Sequence, residues 1–185
     1  MGLSGMDRQR RQGVGGKAAG KTGKRMGDMA PLIGRHTNKI DAKGRVSVPK
    51  PFRASFTDQD FPGIYVYPRF QEPALEACGS DYMVRLSESL EDPAALTDEQ
   101  RLVAAAILDY VHPLAFDPEG RVALPQELLD HAQLSKNAVF VGKGERFHIW
   151  QPEAYDAHRQ ATFENAAKHN VTMALGRLGK PGGGA

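Results

Sequence analysis

Two stretches of this chain alternate apolar and polar residues at the period of a β-strand, and each sits in the same surroundings. In "RVSVP" Val46 and Val48 share one face while Arg45 and Ser47 share the other, and Pro49 ends the run. The preceding "HTNKI" reads as a second strand. Between the two, "IDAKGR" has Asp41 at the first position of a turn and Gly44 at the fourth, the chemistry of a type I turn closed by a left-handed glycine, so a hairpin is predicted. Pro51 is placed to open a short helix, "PFRASF", and "GIYVYP" follows as a strand.

The order then returns. "DAKGRVSVP" at 41–49 becomes "DPEGRVALP" at 117–125, preceded by "PLAF" and followed by a helical "QELLDHA". A predicted hairpin, "AVFVGKGERFHIWQP", comes next, and then a helix over 152–178 with Tyr155, Phe163 and Ala167 as its anchors. The first unit is expected to hold a single strand where the second holds this hairpin. Between the units, Thr97 and Gln100 form a capping-box signature ahead of a stripe made by Leu102, Val103, Ala106, Ile107, Tyr110 and Val111, which predicts a core-facing connector helix. Two copies of a unit too small to close its own core are expected to pack on each other as pseudo-symmetric halves. The expected division is a tail at 1–30, a first repeat at 32–92, a connector helix at 97–113, a second repeat at 114–178 and a flexible stub at 179–185.

Composition narrows the class. With 185 residues, 41% of them hydrophobic and 25% charged, the chain is an ordinary globular protein. No run of about 18 apolar residues and no apolar stretch behind the basic N-terminus is present, so a membrane span and a secretory signal are not expected and the cytoplasm is. Cys78 has no partner for an internal disulfide and no neighbours at ligand spacing, and reads as a small apolar residue.

The net charge of +2 conceals two local excesses. Residues 1–30 hold seven Lys and Arg against two Asp, in a Gly-rich segment with no apolar period, and are expected to be disordered. Met26 and Met29 are alternative starts that would remove most of it. Within the tail, "GGKAAGKT" matches the phosphate-loop pattern, but no apolar strand precedes it and no helical period follows, so it reads as a product of composition. The second excess is Arg35, Lys39, Lys43, Arg45, Lys50 and Arg53 against Asp41 alone, which is either a solvated face or a surface for phosphate backbones.

For an enzyme the sequence offers little. The six histidines form no H-x-x-x-H or H-E-x-x-H pair, and no G-x-S-x-G elbow or metal-ligand cluster is present, so no catalytic residue, metal, cofactor or small-molecule substrate is expected.

The tandem D-x-x-G-R turns resemble the MraZ family and, more distantly, AbrB-like swapped-hairpin DNA-binding domains. The residues that carry the resemblance are "GRHTNKIDAKGRVSVPKPFR" at 34–53 and "DPEGRVALPQELLDHAQLSKNAVFVGKGERFHIWQPEAY" at 117–155. It implies an α+β fold, a pseudo-symmetric β-barrel of two AbrB-like swapped-hairpin repeats with peripheral helices. It further implies a nucleoid-associated bacterial transcription regulator that assembles as a ring-shaped homo-oligomer. Members bind short direct repeats of double-stranded DNA at the promoter of the division and cell-wall gene cluster. Mapped onto this chain, Arg45, Lys43 and Lys39 would form a two-stranded ribbon entering a major groove, with Arg35, His36, Lys50 and Arg53 widening it and Arg121 contributing less. Each has a plainer reading: Arg45 paired with Asp41, Arg53 capping its own helix. Asp41, Gly44, Asp117 and Gly120 are expected to build the turns. The second copy is acidic outside its motif, with Glu119 at the position of Lys43, so it is expected chiefly to complete the fold. A hairpin-swapped, antitoxin-like module that binds a protein through the same surface shares every one of these features.

Overall fold

A computed structural model describes residues 30–56 and 58–169. The phosphate-loop pattern, the alternative starts, nearly all of the basic tail, the final helix beyond His169 and the C-terminal stub lie outside the described residues.

The elements follow the repeated order. The first half contains β1 (Arg35–Lys39), β2 (Arg45–Ser47), α1 (Lys50–Arg53) with a 3-10 turn at Ala54–Phe56, β3 (Gly63–Pro68), β4 (Ala74–Cys78) and α2 (Ser80–Glu91). After α3 (Asp98–Tyr110) come β5 (His112–Ala115), β6 (Arg121–Ala123), α4 (Gln126–His131), β7 (Asn137–Gly142), β8 (Phe147–Trp150) and α5 (Pro152–His169). All strand pairings are antiparallel. The fold is α+β.

Six strands form one sheet in the order β1-β7-β8-β4-β3-β5, and β2 pairs with β6 in a separate two-stranded ribbon. That order reads the same from either end once each strand is exchanged for its counterpart in the other half. Each half lends its first strand to the other: β1 lies on β7, β5 lies on β3, and the halves join where β4 meets β8.

Four expectations need correction. Among the described residues the sheet is open, with β1 and β5 at its edges, and no sheet closes into a barrel. The stretch around Asp41 is not a paired hairpin, because β1 finds a longer partner in β7, and only an Ile40–Val46 bridge links its end to β2. The first unit does contain a second strand, β4, so the halves match more closely than their sequences do. Finally, α3 turns Ala104 and Ile107 inward and leaves Leu102, Val103 and Tyr110 exposed, while on α5 only the first turns engage the sheet and Phe163 is exposed.

Alternation divides the sheet into two faces. One buries Ile64, Val66, Leu75, Ala77, Phe140, Phe147 and Ile149 beneath Val46 and Val122 of the ribbon and Phe52, Phe56 and Leu128 of the short helical segments. Full burial of each Val, Leu, Ile or Phe side chain among these is worth about 1.5–3 kcal/mol. The opposite face is covered at one end by α2 and α3 over Tyr67 and Cys78, and at the other by α5 over Val139, Val141 and Trp150.

Between those covers lies a polar joint. Glu76 is buried, directly opposite His148 across β4 and β8. Its carboxylate accepts from Tyr67 Oη at 2.5 Å, Arg146 Nη1 at 2.5 Å and Arg69 Nη1 at 2.8 Å, with His148 Nε2 at 3.1 Å. Burial alone would raise its pKa, yet the bonds from His148 and Tyr67 and the charge of Arg146 hold it at about 2. Arg69 also grips Glu72, and Glu72 meets His158 Nδ1 at 3.0 Å, so the joint reaches α5.

Candidate nucleic-acid interface

Opposite the helix-covered face, the ribbon turns its outer side to solvent. The register sets Arg45 opposite Ala123, Val46 opposite Val122 and Ser47 opposite Arg121. The valines point inward, so the outer side carries two arginines, each facing a small residue across the ribbon. Beyond the ends of the ribbon, Leu124 N–H donates to the Gly44 carbonyl at 3.0 Å and Val48 N–H to the Gly120 carbonyl at 3.1 Å. The two D-x-x-G turns are thereby held at opposite ends of one ribbon.

Each turn is built as its sequence demands. Asp41 Oδ1 accepts from the amides of Lys43 at 2.9 Å and Arg45 at 3.0 Å, and Asp117 Oδ1 accepts from Glu119 at 3.0 Å and Arg121 at 2.9 Å. Gly44 at φ +72° and Gly120 at φ +74° occupy the left-handed region that a side chain would strain. The surroundings differ. A Cβ on Gly44 would meet the Leu124 carbonyl oxygen at 3.1 Å and a Leu129 methyl at 3.2 Å, whereas one on Gly120 would fall 1.4 Å from Arg53 Nη1. Arg53 lies across the second turn and donates to the Glu119 carbonyl at 3.1 Å.

The arginines differ in the same sense. Arg45 Nε donates to Asp41 Oδ2 at 2.7 Å and its Nη2 is also 2.7 Å from that oxygen. Among the described residues, Asp41 is the only carboxylate paired with it, and the adjacent Lys43 is exposed. The Arg45 side chain and then its amide hold the Asp41 carboxyl down at about 2, so the clamp stays ionised at any ordinary pH. Arg121 makes the same contact with Asp117 Oδ2 at 2.7 Å but is gripped a second time, Nη1 to Glu119 Oε2 at 2.6 Å. Both carboxylates push the Arg121 pKa upward. One arginine keeps an edge of its guanidinium for an outside acceptor; the other is held on two sides.

The strand exchange scatters the remaining basic candidates. Arg35 shares the sheet face of Val141, reaches Asp156 of α5 at 3.8 Å and lies 5.8 Å from the Tyr155 ring centroid. Lys39 follows on that same side of β1, away from the ribbon, so the expected Lys39–Lys43–Arg45 ribbon does not exist. His36 faces the main core and meets the Phe52 ring edge-on at 5.2 Å. Lys50 and Arg53 follow β2, whose end is tied to the second turn, and Arg53 reaches the Glu119 carbonyl there. Only Lys43 and Arg45 are grouped at the first turn.

One lysine escaped the sequence reading. Ile40 N–H donates to the Lys136 carbonyl at 2.9 Å, which places the exposed Lys136 beside the first turn. Nothing local marks it, because it arrives through the β1–β7 pairing. The carboxylates of α4 near this end are engaged, Glu127 with His112 Nε2 at 2.8 Å and Asp130 with Gln126 Nε2 at 2.8 Å.

A family model described as "MraZ protein, putative antitoxin-like" matches residues 111–177. The transcriptional regulator MraZ of Pelagibacter ubique is 38% identical over 125 residues, 68% of this chain and 81% of that protein. The chain belongs to the MraZ family of transcriptional regulators. Regulators of the same name from Rickettsia canadensis and Rickettsia akari are each 34% identical over 145 residues, 78% of this chain and 97% of theirs. These MraZ relatives are named as regulators of transcription and not as enzymes. Among the described residues no helix is long and apolar enough to cross a membrane, and no cluster of three or more His, Cys, Asp or Glu residues could hold a metal ion. Burial pushes the Cys78 thiol pKa upward, away from reactivity.

Proposed function

We propose that this MraZ protein is a cytoplasmic, nucleoid-associated regulator that reads double-stranded DNA through its first turn. It binds short direct repeats at the promoter of the division and cell-wall gene cluster as a ring-shaped homo-oligomer. The observation that carries the reading is the one-sided clamp on Arg45. Asp41 holds the Nε side of the guanidinium and orients its plane, which leaves the other edge for a guanine, while Lys43 and Lys136 stand by for phosphates. The exchange of first strands between the halves supports the AbrB-like assignment of the fold. A few phosphate contacts per chain bind weakly, and several identical turns set side by side supply the rest by avidity. The same face serves an alternative, an antitoxin-like module that binds a protein, which the antitoxin-like description of the matching family favours.

Fluorescence anisotropy separates the two. The purified chain is titrated with the duplex upstream of its own gene and with a shuffled duplex, across a salt series. A regulator prefers the genuine duplex and loses affinity steeply with salt; equal and weak binding to both duplexes moves the assignment to the protein partner.

A further inference from the structure

The outer side of the β2–β6 ribbon carries four side chains, Arg45, Ser47, Arg121 and Ala123. Arg45 and Ala123 form the row beside the first turn, and Ser47 and Arg121 the row beside the second. Each arginine is clamped by the aspartate of its own turn. The two small residues are equivalent by position, since each stands two residues beyond the arginine of its own copy, and they differ by one hydroxyl.

Ser47 is fixed through its backbone and unspent at its side chain. Asn38 Nδ2 donates to the Ser47 carbonyl at 2.6 Å, which ties β2 to the edge strand β1, and Val46 and Val48 on either side are buried. Ser47 Oγ takes part in no hydrogen bond among the described residues. It is half-buried on a strand that cannot swing, with one donor and two acceptor lone pairs available. Such a hydroxyl can bond a base edge that presents either an acceptor or an amino group. Across the ribbon, Arg121 is held by Asp117 and Glu119 and does not compete for the same base.

We infer that Ser47 is a second reader of sequence, bonding the edge of a base pair about two steps along the major groove from the guanine assigned to Arg45. The inference rests on the DNA reading proposed above and extends it from the first turn along β2. Side chains two residues apart on one face of a strand are separated by about 7 Å, and successive base pairs rise by about 3.4 Å. An outward strand face laid along the groove therefore meets every second pair, and the major groove is wide enough to admit a two-stranded ribbon. The second copy offers only the methyl group of Ala123 at the corresponding place, a further reason for it to contribute less.

A panel of duplexes tests it, each carrying one base-pair change in the sequence upstream of the gene, titrated by fluorescence anisotropy with wild type, Arg45→Ala and Ser47→Ala. Ser47→Ala gives β2 the residue that β6 already carries, so the fold accepts it. Its discrimination is expected to fall roughly two- to tenfold at one base pair, the contribution of a single hydrogen bond, and to match wild type at every other pair. The affected pair is expected to differ from the one at which Arg45→Ala loses discrimination. A Ser47→Ala pattern identical to wild type, an equal weakening across all duplexes, or a loss confined to the pair read by Arg45 overturns the inference. The two readings fail separately. If wild type prefers no duplex over a shuffled one, the DNA reading falls and the role of Ser47 falls with it. If wild type and Arg45→Ala behave as expected and Ser47→Ala does not, only the role of Ser47 falls.

Discussion

The two turns of this MraZ protein share one backbone and differ in what surrounds the arginine. Both place an aspartate under two amides and clamp an arginine through Nε at 2.7 Å. At the third position the first turn has Lys43 and the second Glu119, and that one difference sets whether the guanidinium is held on one side or two. Arg53 then braces the second turn, where a Cβ on Gly44 of the first would meet a leucine methyl and a carbonyl. A duplicated motif can thus keep one copy for an outside ligand and commit the other to the fold, with little change in geometry.

The largest disturbance removes the polar joint where β4 meets β8. Glu76→Gln leaves Arg146 and Arg69 beside an uncharged group, and on the order of 3 kcal/mol of stability should be lost in urea unfolding, since breaking a buried ionic network from one side leaves charge uncompensated. The sign with pH follows from the same groups. The Glu76 carboxyl, held at about 2, contributes stability above its ordinary value of 4.5 that is lost as pH falls toward 2. Burial keeps His148 neutral and lowers its pKa from 6.5, so the unfolded chain gains that proton first and stability already declines as pH drops below about 6.5. Wild-type melting temperature should fall in two stages on acidification, and Glu76→Gln should reduce the lower one to the part that Asp41 and Asp117 supply.

A smaller change addresses the contrast itself. Lys43→Glu gives the first turn the carboxylate of the second, and DNA affinity should fall by roughly tenfold as Arg45 acquires a second grip and phosphates meet a negative charge. Lys136→Ala removes only a phosphate contact, so binding should weaken evenly for genuine and shuffled duplexes, with the salt slope reduced by about 1. Smallest is the effect of pH on the clamp. With Asp41 held at about 2, the affinity ratio of wild type to Arg45→Ala should stay within about twofold between roughly pH 5 and pH 8.

What the sequence discloses here is local. Asp41 with Gly44, and Asp117 with Gly120, announce their turns because the bonds that make them span three or four residues. Thr97 and Gln100 do form the capping box. Partner choice is not local: nothing in "HTNKI" says that it prefers β7 to the strand beyond its own turn, so the sequence pattern places Lys39 beside Lys43 and gives no sign of Lys136. Glu76 hid β4, because a carboxylate in the middle of "ALEAC" breaks the apolar pattern unless its three donors are known. The stripe on α3 misled for another reason, since the larger residues face outward and the core accepts Ala104 and Ile107.

The central proposal is that the first turn reads DNA and the second contributes less. It is tested most directly by anisotropy titration of wild type, Arg45→Ala and Arg121→Ala with the duplex upstream of the gene, at one salt concentration. The account predicts that Arg45→Ala loses about 1–3 kcal/mol of preference for that duplex over a shuffled one, roughly 5- to 150-fold, while Arg121→Ala stays within about threefold of wild type. Loss of binding in Arg121→Ala with Arg45→Ala intact would contradict it.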